Sequence, residues 1–414
     1  MESIANIQPE IKLNWLTKRC RSLVFNALGK LDNDVIEVFE GNQVSRFGAV
    51  ADDTISNQRH ATIIINDASA YVDFVKGGSI GVAEAFIEDK WQSPNLTEVI
   101  RIFARAQQIT DNIDSNKSLL SQLKARLFHR LNRNSHKGSK KNIVAHYDLG
   151  NELYTRFLDK SMMYSSAIYP QDNASLEEAQ FHKLDTICQK LALTEHDHVI
   201  EIGTGWGGLA IHMAKHYGCK VTTTTISEEQ FDYAQAEVKA QGLTDKITLL
   251  KDDYRDLTGQ YDKLVSIEMI EAVGHEYLES FFQQCNALVK PQGKLLIQAI
   301  TIADQRLDHY LNNVDFIQRY IFPGGFLPSI TLLSEQLCQH TNMVMESLSD
   351  IGLDYAKTLA HWRENFLANW QEISQHGYDE NFKRLWLYYF AYCEGAFLER
   401  ATSTVHIVAR KPNF

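Results

Sequence analysis

The stretch Val199-Ile-Glu-Ile-Gly-Thr-Gly-Trp-Gly-Gly208 decides the fold of this chain. Its first four residues predict a short buried strand, and glycines follow at positions 203, 205 and 207. A helix is expected to begin next, with Leu209, Ile211 and Met213 on its buried side. Glycine lets the backbone turn with positive φ and lets a ligand approach the main chain closely, and amide groups at a helix start favour polar or anionic ligand groups. The stretch therefore predicts a strand-turn-helix cradle for a nucleotide.

The glycines alone are compatible with more than one ligand. Gly203, Gly205 and Gly208 also satisfy the dinucleotide pattern G-x-G-x-x-G, which requires an acidic residue about 20 residues further on. The region 222–227 has no acid, and the first one comes at Glu228. Glu201 precedes the glycines, an arrangement typical of methyltransferases that use S-adenosylmethionine (SAM). The pattern favours SAM over a dinucleotide, and a tight turn without a ligand stays open as a third interpretation.

Strand-like and helix-like segments alternate on the C-terminal side of this stretch. The predicted strands that alternate with helices are 199–202, 220–225, 247–250, 262–268 and 294–300, and 405–410 is predicted as a final closing strand. This alternation predicts an α/β fold with a doubly wound, Rossmann-like parallel sheet, whose ligands bind beyond the carboxyl ends of the strands. Glu268 would stand at one of these ends, where it would lie near the cofactor or pair with a basic side chain.

An insertion at residues 304–345 separates the last two predicted strands. It carries the aromatic residues Phe316, Tyr320, Phe322 and Phe326. A small polar substrate would not need such an apolar segment. We interpret the insertion as a helical pocket for a lipid, and ordinary core packing of an added subdomain is the alternative.

Length and composition limit the protein class. A chain of 414 residues is expected to form two domains. Hydrophobic residues at 44% and charged residues at 22% are typical of a soluble globular protein. No apolar run reaches the roughly 18 residues of a membrane-spanning helix, and residues 1–13 lack the pattern of a signal peptide. These features predict a cytoplasmic protein.

Cysteine spacing and net charge exclude further functions. The six cysteines are scattered and form no C-x-x-C pair, which argues for free thiols and against a metal site. The net charge of −11 argues against nucleic-acid binding.

The sequence predicts three regions: an N-terminal domain at 1–115, a linker at 116–140 and a catalytic domain at 141–414. In the first region, 61–66 is a predicted strand and 71–75 a second extended piece. We expect this small α/β domain to dock lipid or to oligomerise, which would be compatible with a homodimer.

The linker region is basic and has no acid between Lys117 and Lys141. Leucines recur in it at three- and four-residue spacing, which predicts a helix with an apolar face. The segment is either a solvated helix or a docking patch for anionic phospholipid. Its basic residues within these limits are Lys124, Arg126, Arg130, Arg133, Lys137 and Lys140.

Eight motifs in order make the C-terminal two-thirds of the chain resemble the cyclopropane fatty acid synthases, which include the mycolic acid cyclopropane synthases. Eight ordered matches are far more specific than one glycine loop. The motifs are Val144-Ala-His-Tyr-Asp-Leu-Gly-Asn151, Met163-Tyr-Ser-Ser-Ala167, Glu201-Ile-Gly-Thr-Gly-Trp-Gly-Gly208, Thr225-Ile-Ser-Glu-Glu-Gln230, Asp253-Tyr-Arg-Asp-Leu257, Ile270-Glu-Ala-Val-Gly274, Tyr320-Ile-Phe-Pro-Gly324 and Gly352-Leu-Asp-Tyr355.

The resemblance implies a class I SAM-dependent methyltransferase that acts on the cis double bond of an unsaturated phospholipid chain at the inner face of the membrane. It also implies which residues contact SAM. Those residues are Tyr164, Ser165, Gly203, Gly205, Thr225, Gln230, Asp253 and Tyr254.

In this family a bound bicarbonate acts as the base, and the resemblance assigns its site to five positions. Glu271, Tyr355 and the backbone of Ile300 match the family pattern. Ser166 stands where the family has cysteine, and Gln298 where it has histidine. Neither replacement can carry a positive charge near neutral pH, as histidine can, so this site is predicted to be retuned.

Three functions are therefore predicted side by side. The first is cyclopropanation through a carbocation on the acyl chain. The second is a related C-methyltransferase that gives a methyl-branched or methylene product, because the bicarbonate site is altered. The third is a protein that binds lipid or SAM without catalysis.

Overall fold

Two sheets, one of four strands and one of seven, form the framework of the chain. The computed structural model describes residues 11–49, 57–106, 132, 134, 135, 138 and 149–413. Its helices are α1 (Trp15–Leu28), α2 (Ala70–Ile87), α3 (Leu96–Arg105), α4 (Asn151–Phe157), α5 (Leu176–Leu191), α6 (Gly208–His212), α7 (Glu228–Ala240), α8 (Leu278–Leu288), α9 (Leu307–Leu311), α10 (Ile330–His340), α11 (Gly352–Ala368), α12 (Trp370–Ser374) and α13 (Glu380–Leu398). Its strands are β1 (Val35–Glu40), β2 (Gln43–Gly48), β3 (His60–Ile65), β4 (Trp91–Gln92), β5 (His198–Ile202), β6 (Lys220–Thr224), β7 (Ile247–Leu250), β8 (Tyr261–Ile267), β9 (Val289–Ile302), β10 (Val344–Asp350) and β11 (Thr402–Arg410).

The seven-stranded sheet has the order β10-β11-β9-β8-β5-β6-β7. Strands β5 to β9 pair in parallel, whereas β11 pairs antiparallel with both β9 and β10. The strand order reverses between β5 and β8, which is where doubly wound sheets bind their ligands. The predicted parallel sheet is confirmed, and each of its predicted strands is present.

Apolar side chains cover both faces of this sheet. On β5, Ile200 and Ile202 belong to a core that includes α8, whereas Val199 belongs to a core formed with α5 and α6. Leu264 and Val265 on β8 divide in the same way. Successive strand residues point to opposite faces, so these strands are apolar throughout, as expected for a parallel sheet covered by helices on both sides.

The loops at the carboxyl ends of β5 and β8 are held in place by backbone hydrogen bonds. Gly203 N and Thr204 N both donate to Thr224 O at the end of β6, at 3.1 and 3.0 Å. After β8, residues Ile270–Ala272 form a single helical turn that carries Glu271. Phe326 N, in the aromatic insertion, donates to Glu271 O at 2.9 Å. The insertion is therefore fixed to the same edge of the sheet.

A separate unit contains the four-stranded sheet, with the order β2-β1-β3-β4, and the helices α1, α2, α3 and α13. Helix α13 lies in this unit although it comes late in the chain, because residues 377–399 pack with the N-terminal residues. Within it, Thr97 Oγ1 donates to Glu394 Oε2 at 2.9 Å, and Arg101 Nε donates to Glu399 Oε1 at 2.6 Å.

Three local features differ from the sequence-based expectations. The extended piece predicted at 71–75 is wrong: these residues lie in α2, which begins after a turn in which Ser69 N donates to Asp67 Oδ1 at 2.7 Å. Residues 377–399 fall outside the unit that contains the rest of 141–414. Strand β10 begins at the end of the insertion and is absent from the sequence-based expectations. Its burial follows no clear alternation.

Several predictions fall outside the described residues. The domain boundary near residue 115 and most of the basic linker at 116–140 lie there, as do residues 144–148 of the first family motif. Within the part of the chain that the structure describes, no helix is both long and apolar enough to cross a membrane.

Candidate functional site

Three glycines with positive φ turn the chain after β5. Gly203, Gly205 and Gly207 have φ values of 103°, 52° and 92°. An added Cβ at Gly203 would stand 3.2 Å from the Met269 side chain, and one at Gly207 would stand 3.1 Å from Ala234 Cβ. The positive φ favours glycine at all three positions, and close neighbours restrict Gly203 and Gly207 further, so the turn exposes its backbone at the topological switch point, as a nucleotide cradle needs.

Glu201, the acidic residue ahead of the glycines, lies inside the sheet. Its Oε2 accepts a hydrogen bond of 2.6 Å from Thr223 Oγ1 on the neighbouring strand β6. Thr223 Oγ1 also lies 2.7 Å from Thr204 Oγ1 in the glycine turn. Burial raises the pKa of the Glu201 carboxyl to about 8. This acid therefore joins the cradle to the next strand.

The ends of β6 and β7 carry the next predicted cofactor residues. Thr225 Oγ1 donates to Gln230 Oε1 at 2.9 Å, and the NH2 group of Gln230 takes no part in this bond. The carboxylate of Asp253 accepts from Arg255 Nε at 2.8 Å and from Arg255 Nη2 at 2.6 Å. The ring of Tyr254 packs edge-on against Phe281 at 5.5 Å. These side chains follow parallel strands, so they share one edge of the sheet with Gly203 and Gly205.

The segment with Tyr164, Ser165 and Ser166 is tied to helix α5 by two buried polar side chains. Lys183 Nζ donates to Ser165 Oγ at 2.9 Å, and Gln180 Nε2 donates to Ser165 O at 3.0 Å. Lys183 is fully buried, and burial lowers its pKa to about 8. Buried hydrogen bonds to helix α5 therefore hold this segment in place.

A cluster of donors surrounds the carboxylate of Glu268 at the end of β8. Ser166 N donates to Oε1 at 2.9 Å and Gln298 Nε2 donates to the same oxygen at 2.7 Å. Tyr355 OH donates to Oε2 at 2.8 Å. All three donors are neutral, and the charge of the buried Lys183 acts on Glu268 as well and favours its ionised form. The structure thus brings Ser166, Gln298 and Tyr355 together around a carboxylate of the chain itself.

Gln298 is oriented by residues behind it. His406 lies directly across from Gln298 in the antiparallel β9–β11 register, and its Nε2 is 2.8 Å from Gln298 Oε1. Lys190 Nζ is 3.0 Å from His406 Nδ1. Burial holds the pKa of His406 well below its usual range, so the ring is neutral. With Lys190 donating to Nδ1, Nε2 carries the proton and donates to Gln298 Oε1, which directs the Gln298 amide group toward Glu268.

Glu271 is the second carboxylate at this edge. Its Oε1 accepts a hydrogen bond of 2.6 Å from Ile300 N. Its Oε2 is shut off from solvent and has no hydrogen-bond partner among the described residues. Burial, followed by the charge of Glu268, raises the pKa of the Glu271 carboxyl to about 8. With three donors on Glu268 and one on Glu271, we infer that the pair holds one proton near neutral pH and that Glu271 carries it.

Aromatic rings extend from this carboxylate pair toward Tyr164. Trp362 is fully buried, and its ring centroid lies 5.9 Å from that of Tyr355 and 5.2 Å from that of Tyr164. Tyr164 is in turn 6.4 Å from Phe322 of the insertion. Aromatic faces attract cations, so these rings could stabilise positive charge that forms beside them.

Comparison with known proteins assigns the family. The model described as mycolic acid cyclopropane synthetase matches residues 134–407. The chain belongs to this family. It is 38% identical over 346 residues to the cyclopropane-fatty-acyl-phospholipid synthase of Escherichia coli (strain K12), covering 84% of this chain and 87% of that protein.

Further relatives and solved structures agree with this assignment. The tuberculostearic acid methyltransferase UfaA1 of Mycobacterium tuberculosis is 35% identical over 327 residues, covering 77% of this chain and 76% of that protein. The mycolic acid cyclopropane synthase CmaA1, solved with SAH and CTAB, has a TM-score of 0.61 at 27% identity and covers 66% of this chain and 98% of that chain. MmaA2 of Mycobacterium tuberculosis has the same TM-score and coverage at 26% identity.

As a member of this family the chain is a SAM-dependent enzyme of lipid modification, and the predicted class I methyltransferase fold is confirmed. The glycine turn and the strand ends beside it suit SAM, because backbone amides and polar side chains converge there. The individual contacts assigned to SAM stay predictions.

Sequence reasoning missed three residues that contact the candidate site residues. The cation Lys183 lies on an amphipathic helix whose pattern predicts only core packing. His406 lies on the final strand, and only the β9–β11 register shows that it faces Gln298. Trp362 lies on α11, seven residues after Tyr355, so the two-turn spacing on one helix face could have identified it.

We expect replacement of His406 by leucine to lower kcat about fivefold, since a freed Gln298 amide no longer points steadily at Glu268 and one hydrogen bond is worth about 1 kcal/mol. His198→Leu is the matched control. It removes a histidine that bonds Thr222 Oγ1 on the same sheet at 2.9 Å, away from the carboxylate pair. Measurement of kcat and of the free energy of unfolding should show loss of stability in both variants but loss of kcat only in His406→Leu. Equal kcat values would contradict this positioning role.

Proposed function

We propose that this enzyme adds a methylene group from SAM across the cis double bond of an unsaturated phospholipid acyl chain, giving a cyclopropane ring. One observation carries this proposal. The glycine turn, the carboxylates of Glu268 and Glu271, and an aromatic wall formed by Tyr164, Phe322 and Trp362 converge at one edge of the sheet. SAM supplies an electrophilic methyl group, which a weakly nucleophilic alkene must attack. The site must then tolerate a carbocation and take up a proton.

The described residues suit each requirement. The carboxylate pair places one negative charge where positive charge develops, and fixed electrostatic stabilisation is usually the largest contribution to catalysis. The rings of Tyr164 and Phe322 are half-buried, so part of each ring is open to a substrate. The apolar insertion that contributes Phe322 matches an acyl chain better than a polar small molecule.

We further propose that the enzyme works at the surface of the membrane as a peripheral protein. The basic segment between Lys117 and Lys141 would approach anionic phospholipid, where each basic residue contributes about 1 kcal/mol. An N-terminal domain that docks lipid or forms a homodimer would support the same arrangement.

The proposal is tested by incubating purified protein with SAM and liposomes of cis-monounsaturated phospholipid, then analysing the released acyl chains by mass and proton NMR. We expect a gain of one CH2 and the high-field signals of ring protons. Liposomes of saturated phospholipid are the control and should give no gain. The same mass gain with an olefinic or methyl-branch signal would instead assign the methyl-branched or methylene product. No gain with SAM bound would assign a different lipid or the non-catalytic function.

A further inference from the structure

The predicted bicarbonate site and the observed contacts disagree. At each of the four positions that could donate to that anion, one donor already bonds a carboxylate of the chain. Ser166 N, Gln298 Nε2 and Tyr355 OH all donate to Glu268, and Ile300 N donates to Glu271. Ser166 Oγ donates instead to Ala167 O at 2.9 Å. A free bicarbonate would have to displace Glu268 to gain the same partners, so these residues do not fit a bound bicarbonate.

We propose that Glu268 is a built-in replacement for bicarbonate and the catalytic base of this enzyme. The inference rests on the proposed function, because it names the proton acceptor of that reaction. It is supported by the geometry of the side chain: a carboxylate offers two oxygens in one plane, as bicarbonate does, and here both are occupied by donors from three separate segments of the chain.

The backbone conformation of Glu268 is unusual and supports a functional role for this residue. Its φ is +47°, in the left-handed region that residues other than glycine rarely adopt. Glu268 N nevertheless donates to Gln298 O at 2.8 Å, so the strand pairing of β8 with β9 continues through it. Strained backbone of this kind persists where the surroundings hold it, and it is concentrated at functional sites. The strain directs the carboxylate to the donors.

The two oxygens of Glu268 differ in their capacity to accept a proton. Among the described residues, Oε1 has two donors, Ser166 N and Gln298 Nε2, whereas Oε2 has one, Tyr355 OH. A carboxylate oxygen has two lone pairs, so Oε2 keeps one free to accept a proton. Tyr355 also lies beside the aromatic wall through its 5.9 Å contact with Trp362, and this places Oε2 on the side where the cation would form.

The step balances as follows. The alkene electron pair forms a bond to the methyl carbon of SAM, the bond from that carbon to sulfur breaks, and S-adenosylhomocysteine leaves. A C–H bond of the transferred methyl group then breaks, and its electron pair closes the ring onto the cationic carbon. The proton passes to Oε2 of Glu268, so the substrate cation and the carboxylate both become neutral, and the carboxylate is restored when that proton is released.

The decisive variant is Glu268→Gly. Glycine adopts a φ of +47° without penalty, so the backbone is expected to keep its course while the carboxylate is removed. The donors on Ser166, Gln298 and Tyr355 would then be available to an anion. Glu268→Gln is the matched control, because its side chain fills the same space and leaves no room for bicarbonate.

Two measurements on the full-length protein test the proposal. NMR line broadening of isotope-labelled bicarbonate should show no binding to the wild type or to Glu268→Gln, and clear binding to Glu268→Gly. In bicarbonate-depleted buffer, the wild type should keep its full rate of product formation. The rate of Glu268→Gly should be at least about a hundredfold lower, which is the effect of losing a general base. Added bicarbonate should raise the rate of this variant at least about tenfold.

Wild-type protein that binds bicarbonate, or whose rate rises severalfold when it is added, would overturn the proposal. So would a Glu268→Gly variant that keeps the wild-type rate in depleted buffer. If the wild type forms no product from unsaturated phospholipid at all, the proposed function fails, yet the binding comparison still decides whether Glu268 fills the anion site. Unfolding curves and SAM binding verify that both variants are folded.

Discussion

Replacement of Glu268 by glutamine is expected to lower kcat by at least about a hundredfold, because a general base contributes 10² to 10⁴ in rate. The amide keeps an acceptor oxygen for Gln298 or Tyr355, so the fold and the affinity for SAM should change little. It has neither the negative charge nor the basicity to remove a proton from a methyl group. Single-turnover rates with SAM and unsaturated phospholipid, together with calorimetric SAM binding, measure the two effects separately.

Glu271→Gln provides the comparison that separates the two carboxylates. Glu271 is the partner that we infer to carry the proton, since it accepts one hydrogen bond where Glu268 accepts three, and burial raises its pKa. A neutral amide resembles that protonated state, and its Oε1 can still accept from Ile300 N. We therefore expect a smaller loss, about tenfold, which corresponds to about 1.4 kcal/mol. A larger loss in Glu271→Gln than in Glu268→Gln would assign the base to Glu271.

The pH dependence of kcat should report the same assignment. Burial raises the pKa of Glu268 above its ordinary value, although its three hydrogen bonds and the charge of Lys183 oppose this shift. The base must be ionised, so kcat of the wild type should fall as the pH drops through this raised value. Glu271→Gln should keep this acid limb, because it leaves the base in place, whereas the residual activity of Glu268→Gln should lack it.

The glycine turn could be predicted from the sequence because its requirement is local. Gly203, Gly205 and Gly207 all have positive φ, and glycine is the residue that adopts this conformation freely. The apolar runs of β5, β8 and β9 could be predicted for a similar reason, since strands covered on both faces contain few polar residues.

The carboxylate cluster could not be predicted in the same way. Ser166, Glu268, Gln298 and Tyr355 come from four segments, and their meeting depends on tertiary packing. The resemblance assigned roles only at positions where family members share a functional residue, and it gave none to position 268. Sequence reasoning therefore identified the replacements at Ser166 and Gln298 as a retuned anion site, without showing that Glu268 lies among their donors.

The sequence also did not indicate to which unit helix α13 belongs. The pattern of α13 predicts an apolar face whichever partner it meets, and its contacts with α3 depend on residues nearly 300 positions earlier, as in the bond of Thr97 to Glu394. Chain order gave no indication that residues 377–399 pack with the N-terminal residues.

Replacement of Gly208 by alanine is expected to weaken SAM binding at least about tenfold and to destabilise the fold by about 1–3 kcal/mol, the usual effect of overpacking. An added Cβ would stand 2.4 Å from Ser161 O, a backbone atom, and 3.0 Å from Met163 Sδ. Ser161 cannot move easily, because its N and Oγ both bond Asp159 Oδ2, at 2.9 and 2.6 Å. The clash would therefore be transmitted to the adjacent segment that carries Tyr164, Ser165 and Ser166.

Gly242→Ala is the control for backbone strain without a clash. Gly242 has a φ of +68° and no atom within 4 Å of an added Cβ, and it lies after α7, away from the glycine turn. It should lose about 1 kcal/mol of stability and keep its affinity for SAM. Calorimetric titration of SAM into both variants distinguishes these effects. Wild-type affinity in Gly208→Ala would mean that the packing of Ser161 and Met163 on the glycine turn does not shape the cofactor site.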